Sequence, residues 1–218
     1  MLPFFMLLIY ILPISRMLQR IVSEKETRIR ESMRMMGLVD WSYWLSWFVY
    51  YTIIVTIISV LCLIVLSVNV ITFTNKFLLL MYLWLYGMAQ FGFIIFMTCF
   101  FSSQRFAQIG GTLIYFGSSF VVNAVQDANT DMSAKIWASI LSTVGISLAS
   151  TNLGAYEEAG IGVNFSNATD TYQNFTFAWG LGMLVVSFFV FLLLGLYLDN
   201  VLPSAYGRKK PWYFCLSP

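Results

Sequence analysis

The sequence predicts an all-α, polytopic membrane helical bundle of about five spans, and three observations predict it. Of its 218 residues, 59% are hydrophobic, 18% aromatic and only 10% charged. A soluble domain of this length carries roughly a quarter charged residues, because even a large core needs a polar surface. The charges are also segregated: none falls between Asp40 and Lys76, Lys76 and Arg105, Arg105 and Asp127, or Asp170 and Asp199. Uncharged apolar runs of roughly 20 residues match the ~30 Å hydrocarbon core of a bilayer.

The first element covers about 1–20. Its apolar run, Met1 to Ser15, ends at Arg16 and at 1.5 Å per residue makes about 22 Å of helix, too short to cross. It has neither a basic start nor a small-residue cleavage site, so it reads as the later part of a span whose beginning is missing rather than as a signal peptide. Snorkelling by Arg16 and Arg20 lengthens it a little. The next stretch, about 23–37, is different in kind. Six of the twelve basic residues fall between Ser15 and Gly37, while Leu18, Ile21, Val22, Ile29, Met33 and Met36 recur at three- and four-residue steps. Glu24 precedes Arg28, and Glu26 precedes Arg30, by four residues in the favourable order. Glu31 and Arg34 continue the charged face, and Gly37 supplies a stop. The expectation is one amphipathic helix at the membrane face.

Asp40 is the expected N-cap of a second span, about 41–68, opened by the aromatic belt Trp41, Tyr43, Trp44 and Trp47. A turn leads to a third span at 77–101, and Ser102–Arg105 to a fourth at 106–125, rich in small residues that let helices approach closely. In 127–176 the apolar piece Ala134–Ser150, interrupted by Gly145, reads as a re-entrant or interfacial hairpin. A full crossing there is the weaker alternative, and 152–176 reads as polar loop. The last span is 177–198, followed by a polar tail, 199–218.

Charge sets the expected orientation. With the amphipathic helix cytoplasmic, ten basic residues lie inside, Arg105 and the tail triplet Arg208, Lys209 and Lys210 among them. Only Lys76 and Lys135 lie outside, as the positive-inside rule requires. The outer loop then holds three glycosylation triplets, at Asn164, Asn167 and Asn174, of which Asn174 lies nearest the membrane.

Chemistry of the ordinary catalytic kinds is missing from the sequence. Histidine is absent, no phosphate-loop motif occurs, and the three cysteines have no metal-ligand spacing. No catalytic, cofactor-binding or metal-ligating set is expected, and nothing suggests nucleic acid as a partner. Glu157 and Glu158 read as solvated loop charges. Gln108, Ser118, Ser119 and Asn123 mark a polar side of the fourth span, and Gln90 sits in the third. Such groups either bridge helices, at ~0.6 kcal/mol apiece, or line a substrate path.

Two stretches carry a family resemblance. Lys25–Leu38, KETRIRESMRMMGL, resembles the K-E-x-R-L-K-E-x-M-x-x-M-G-L helix of subfamily A of the ABC transporters. Tyr197–Phe214, YLDNVLPSAYGRKKPWYF, resembles the sequence by which that family leaves its final span. Between them, Glu158–Val163 resembles the family's E-x-G-I-G-V stretch. The resemblance covers the whole chain and implies part of an ABC-2 type exporter transmembrane domain. A first span and an extracellular domain would precede it, and a nucleotide-binding domain, with its ATP and Mg, would follow.

The resemblance also implies that helix 23–37 is a coupling element docked on that domain, rather than the surface anchor its charge pattern alone suggests. The hairpin becomes re-entrant from the outer face. The implied partners are the protein's own nucleotide-binding domain, a second transmembrane half, and membrane lipids as substrate. The expected function is ATP-driven transport of phospholipid or sterol-like amphiphiles in the plasma membrane or an endomembrane. An ATP-independent receptor or channel subunit is the alternative; a channel needs a charged or carbonyl-rich pore element, which these spans do not display.

Overall fold

The structure is a computed structural model and describes residues 2–201 apart from Ala128. The tail triplet Arg208, Lys209 and Lys210 therefore lies outside the described residues, as does most of the stretch 199–218. Among the described residues the chain is almost entirely helical. In order, α1 is Leu2–Glu26, α2 Ile29–Met35, α3 Asp40–Asn69, α4 Lys76–Thr98, α5 Gln104–Ser119, α6 Val122–Val125, α7 Met132–Ala138, α8 Ser142–Glu158 and α9 Phe177–Val201. A two-stranded hairpin, β1 Thr171–Tyr172 and β2 Phe175–Thr176, sits just before α9. Gln173 and Asn174 both have positive φ, the signature of a type I′ turn.

Four of these helices, α1, α3, α4 and α9, are long and apolar enough to cross a membrane. The expected fourth span is not an unbroken helix. α5 ends at Ser119 after 16 residues, and the next two amides bond back to Gly117 and Ser118, a tightening that breaks the helix before α6. The first span is longer than expected: its helix continues through residues that the sequence assigns to the amphipathic element, as far as Glu26.

α4 is the axis. It packs against α9, α3, α1 and α8, and 78% of its most apolar window is buried, against 17% for α3. The α4–α9 crossing is close because glycine stands on both sides of it. A Cβ on Gly92 would lie 2.6 Å from the Phe188 carbonyl oxygen, and one on Gly195 would lie 2.8 Å from the Phe96 nitrogen. α1 buries Met6, Tyr10, Ile14, Met17, Leu18 and Ile21 as one stripe. α3 leaves Ile53, Ile57, Ile64 and Val65 more than half exposed, the pattern of a helix bathed in lipid.

The α7–α8 hairpin departs most from expectation. Its break falls at Ser139–Leu141, while Gly145 lies inside α8 and the helix runs on through residues expected to be loop. The polar residues of α8 are what fasten it. The Gln90 amide donates to the Ser142 hydroxyl (3.0 Å), the Tyr82 hydroxyl bonds Ser150 (2.5 Å) and Ile146 O (2.8 Å), and Glu157 meets residues 72–74. α8 thus runs antiparallel to α4 from mid-bundle to the Lys76 end. The Ser187 hydroxyl of α9 donates to Ile140 O (2.8 Å) at the hairpin's tip, and Lys135 of α7 donates to Gln173 O at 2.5 Å. The segment enters and leaves at one end of the bundle.

Candidate functional site

The expected helix 23–37 is two helices with a corner. α1 ends at Glu26, and Arg28 takes a left-handed conformation (φ 60°) before α2 begins. A non-glycine residue held there costs on the order of 1 kcal/mol. The corner removes the expected four-residue pairings, and the carboxylates turn outward to other elements. Glu24 accepts from the Tyr43 hydroxyl at 2.9 Å. Glu26 accepts from the Gln104 amide at 2.8 Å, placing its charge at the positive end of α5. Lys25 donates to Thr98 O at 3.2 Å, on the last turn of α4. α2 then closes in a Schellman motif: Leu38 N bonds Met33 O and Gly37 N bonds Arg34 O, with Gly37 at φ 96°.

Arg30 is the centre of the junction. Its guanidinium forms a two-pronged bond with Asp199 near the end of α9, Nη1 to Oδ1 at 3.1 Å and Nη2 to Oδ2 at 2.7 Å. The two side chains are 15% and 11% exposed. The same guanidinium lies 4.9 Å from the Tyr43 ring centroid and 5.2 Å from that of Trp44. Burial alone would lower the Arg30 pKa, but the bonds and charge of Asp199 outweigh it and raise the pKa further. Arg34 pairs with Asp40 at 2.5 Å, and Arg30 approaches the same carboxylate at 3.9 Å. Asp40 is therefore not the N-cap of α3: Val39 holds that position, and the carboxylate serves the two arginines instead.

A cleft of about 250 Å³ runs along the junction, with Glu31, Arg34 and Asn200 among its walls. Met33 is half-buried and Met36 is exposed, so the expected apolar stripe does not continue onto the bundle. Lys25, Asp40, Tyr43 and Asp199 were not singled out as site residues by sequence. Asp199, a lone carboxylate closing a long apolar run, is the one that the charge pattern could have flagged.

The residues expected to mark a substrate path are only partly brought together. Gln90, Ser118, Ser142 and Thr143 meet where α4, α5 and α8 join, with Ser118 Oγ 3.0 Å from Thr143 Oγ1. No water-sized space lies between them. Gln108 lies elsewhere on α5, the Ser119 hydroxyl donates to Phe116 O within that helix, and Asn123 is exposed on α6.

Of the glycosylation triplets, the Asn167 side chain is held on both atoms: its oxygen accepts from Asn164 N at 2.6 Å and its nitrogen donates to Gly162 O at 2.8 Å. Asn164 is half-buried, and Asn174 sits exposed at the β1–β2 turn. Glu157 proves to be no idle loop charge. It accepts from the backbone amides of Thr72, Phe73 (2.7 Å) and Thr74 (3.2 Å), and from the hydroxyls of Thr72 (3.2 Å) and Thr74 (2.7 Å). Burial alone would raise its pKa, but these donors hold it below the usual carboxylate range.

Residues 1–197 match the ABC-2 family transporter proteins. The chain belongs to that family. It is 29% identical over 223 residues to the human glucosylceramide transporter ABCA12, covering 100% of this chain and 9% of the relative. It is 30% identical over 227 residues to the bovine retinal-specific phospholipid-transporting ATPase ABCA4, covering 98% and 10%. It is 28% identical over 228 residues to the human phospholipid-transporting ATPase ABCA3, covering 100% and 13%. The chain thus spans about a tenth of the length of the curated relatives it matches. As a member of the ABC-2 family it is a multi-pass integral membrane protein.

Proposed function

We propose that this ABC-2 segment transmits ATP-driven motion from an adjoining nucleotide-binding domain to a lipid path shared with a second transmembrane half. Its substrates are phospholipids or similar amphiphiles. ATP and Mg belong to the adjoining domain, since the chain has no phosphate-loop sequence to hold them. The α1–α2 junction faces the cytoplasm, and the α7–α8 hairpin is re-entrant from the outer face.

The observation that carries this reading is the buried Arg30–Asp199 fork. A lever needs firm attachment at both ends, and the fork fastens α2 to the end of α9. Around it, Glu24, Lys25 and Glu26 fasten the same corner to α3, α4 and α5. Push on α2 is thereby shared by every membrane-length helix. The charged wall of the cleft, with Glu31 and Arg34, supplies the docking face. Gln90 and Ser118 act as bridges between helices.

The test is charge reversal in the full-length protein. R30E leaves Asp199 buried without its partner, a loss of roughly 2–5 kcal/mol for a desolvated pair. ATP hydrolysis should persist while lipid movement in proteoliposomes falls, and R30E combined with D199R should restore part of it. Coupled transport at the unmodified rate in R30E would refute the lever assignment.

A further inference from the structure

The apolar surface does not stop where the helices end. At the end of the bundle opposite the α1–α2 junction, Phe73, Phe77, Ile161 and Phe165 are each more than half exposed. They come from two segments far apart in the chain, the stretch where α3 turns into α4 and the loop after α8, and these two are joined backbone to backbone. Asn75 N donates to Val163 O at 3.0 Å, and Val163 N donates to Thr74 Oγ1 at 3.1 Å. Gly162, at φ 66°, lies so close to the turn that a Cβ on it would sit 2.6 Å from the Thr74 nitrogen. Ile161 and Phe165 flank that seat, and the centroids of the Phe165 and Phe77 rings are 6.4 Å apart.

This shelf is uncharged. No charged residue occurs in 64–75 or in 159–169. The two charges at its margin are turned onto backbone. The Lys76 ammonium donates to Ile71 O at 2.6 Å, and Glu157 accepts from the amides of residues 72–74. The shelf is also continuous with the lipid-facing strips of the helices. Val65 and Val68 close the exposed strip of α3, while Phe77 and Met81 open that of α4. α9 runs parallel to α4, with Gly92 against Phe188 and Gly195 against Phe96, so its exposed Trp179 stands at nearly the level of Phe77. Aromatic side chains at the ends of membrane-length helices mark the headgroup zone. Large apolar groups gathered there without charge fit the boundary with the acyl chains and not bulk water.

We infer that Phe73, Phe77, Ile161 and Phe165 form a shelf that seats the loop 159–169 in the headgroup–acyl boundary of the leaflet at this end. In the orientation proposed above that leaflet is the outer one. The partner is the lipid surface, and the loop that the sequence reads as polar is an interfacial anchor. Because Glu157, Thr74 and Gly162 fix the loop to the α3–α4 turn, the anchor holds that turn and the end of α8 at one depth.

The test uses full-length protein with its native cysteines replaced, in phosphatidylcholine nanodiscs without nucleotide, carrying a nitroxide at I161C, F165C, V68C or D170C. Collisions with oxygen should exceed those with a water-soluble nickel chelate several-fold at 161 and 165, as at the lipid-facing position 68. The preference should reverse at 170. In a second measurement, unsubstituted protein sits in discs doped with a phosphatidylcholine that bears a diazirine near the glycerol end of its acyl chain. Photolabel should appear within 159–169 and 70–77. Preference for nickel at 161 and 165 would place the shelf in water. Suppressed collisions with both reagents would place a protein surface on it, such as a further domain of the full-length chain. Either result overturns the inference, and so does absence of photolabel from 159–169, which decides the matter even where a cysteine variant fails to fold. Since no nucleotide is present, none of these outcomes depends on whether α2 acts as a lever.

Discussion

Glu157 shows how much one side chain can organise at the end of the bundle opposite the α1–α2 junction. Its carboxylate gathers three consecutive amides and two hydroxyls of residues 72–74, joining the last turn of α8 to the α3–α4 turn. Because its folded pKa is depressed, the stability it contributes is present above the ordinary carboxylate range. It is lost as pH falls through the lower folded value. The melting temperature of the full-length protein should therefore drop on acidification, and E157Q should flatten that dependence. At neutral pH, E157Q should cost roughly 1 kcal/mol, since water takes over part of the bonding at a half-exposed group. An identical pH profile in the two proteins would remove Glu157 from this role. The sequence could not show the clamp: acceptor and donors are over 80 residues apart in the chain, and adjacent loop glutamates are common on surfaces.

At the scale of elements, the helices divide into those that hold the bundle and those that meet lipid. The α4–α9 contact depends on Gly92 and Gly195, where a side chain would press on the opposing backbone rather than on a movable group. G92L or G195L should force the helices apart at a cost of about 1–3 kcal/mol or more, read as a lower melting temperature and less monodisperse protein. I57A on the exposed face of α3 should fall within about 0.5 kcal/mol of the parent. Comparable losses in all three would mean that the crossing is not where the packing energy is concentrated. The same scale explains the broken fourth span. Apolarity over 106–125 is continuous, but Gly117, Ser118 and Ser119 weaken helix propagation, and the chain turns there with i→i+3 bonds.

For the whole molecule, the ends of the bundle differ in kind. One gathers Arg30, Arg34, Asp40 and Asp199; the other gathers the Glu157 clamp, the β1–β2 turn and the loop with Asn164 and Asn167. With the native cysteines replaced, M36C and S166C should react with impermeant reagents from opposite faces of sealed vesicles, Met36 from the cytoplasmic face. Reaction of both from one face would overturn the orientation that the positive-inside count supports.

What the sequence determined by itself was the solvent and the class of fold. Apolar runs of bilayer length, segregated charge and two motif stretches are local properties, and they suffice for a polytopic helical protein of this family and for the places where α3, α4 and α9 run. What only the tertiary structure decided was where the polar side chains go. The pairs Glu24–Arg28 and Glu26–Arg30 satisfy helix spacing, yet Arg30 closes on Asp199 and Glu26 on α5 because the chain turns at Arg28. The Ala134–Ser150 stretch is mildly apolar by composition, but Ser142, Thr143 and Ser150 make interhelical bonds once α4 and α5 enclose them. In each case the physical reason is the same. A polar group takes the partner that packing brings within bonding distance, and neighbours along the chain hold no priority once another helix end is nearer.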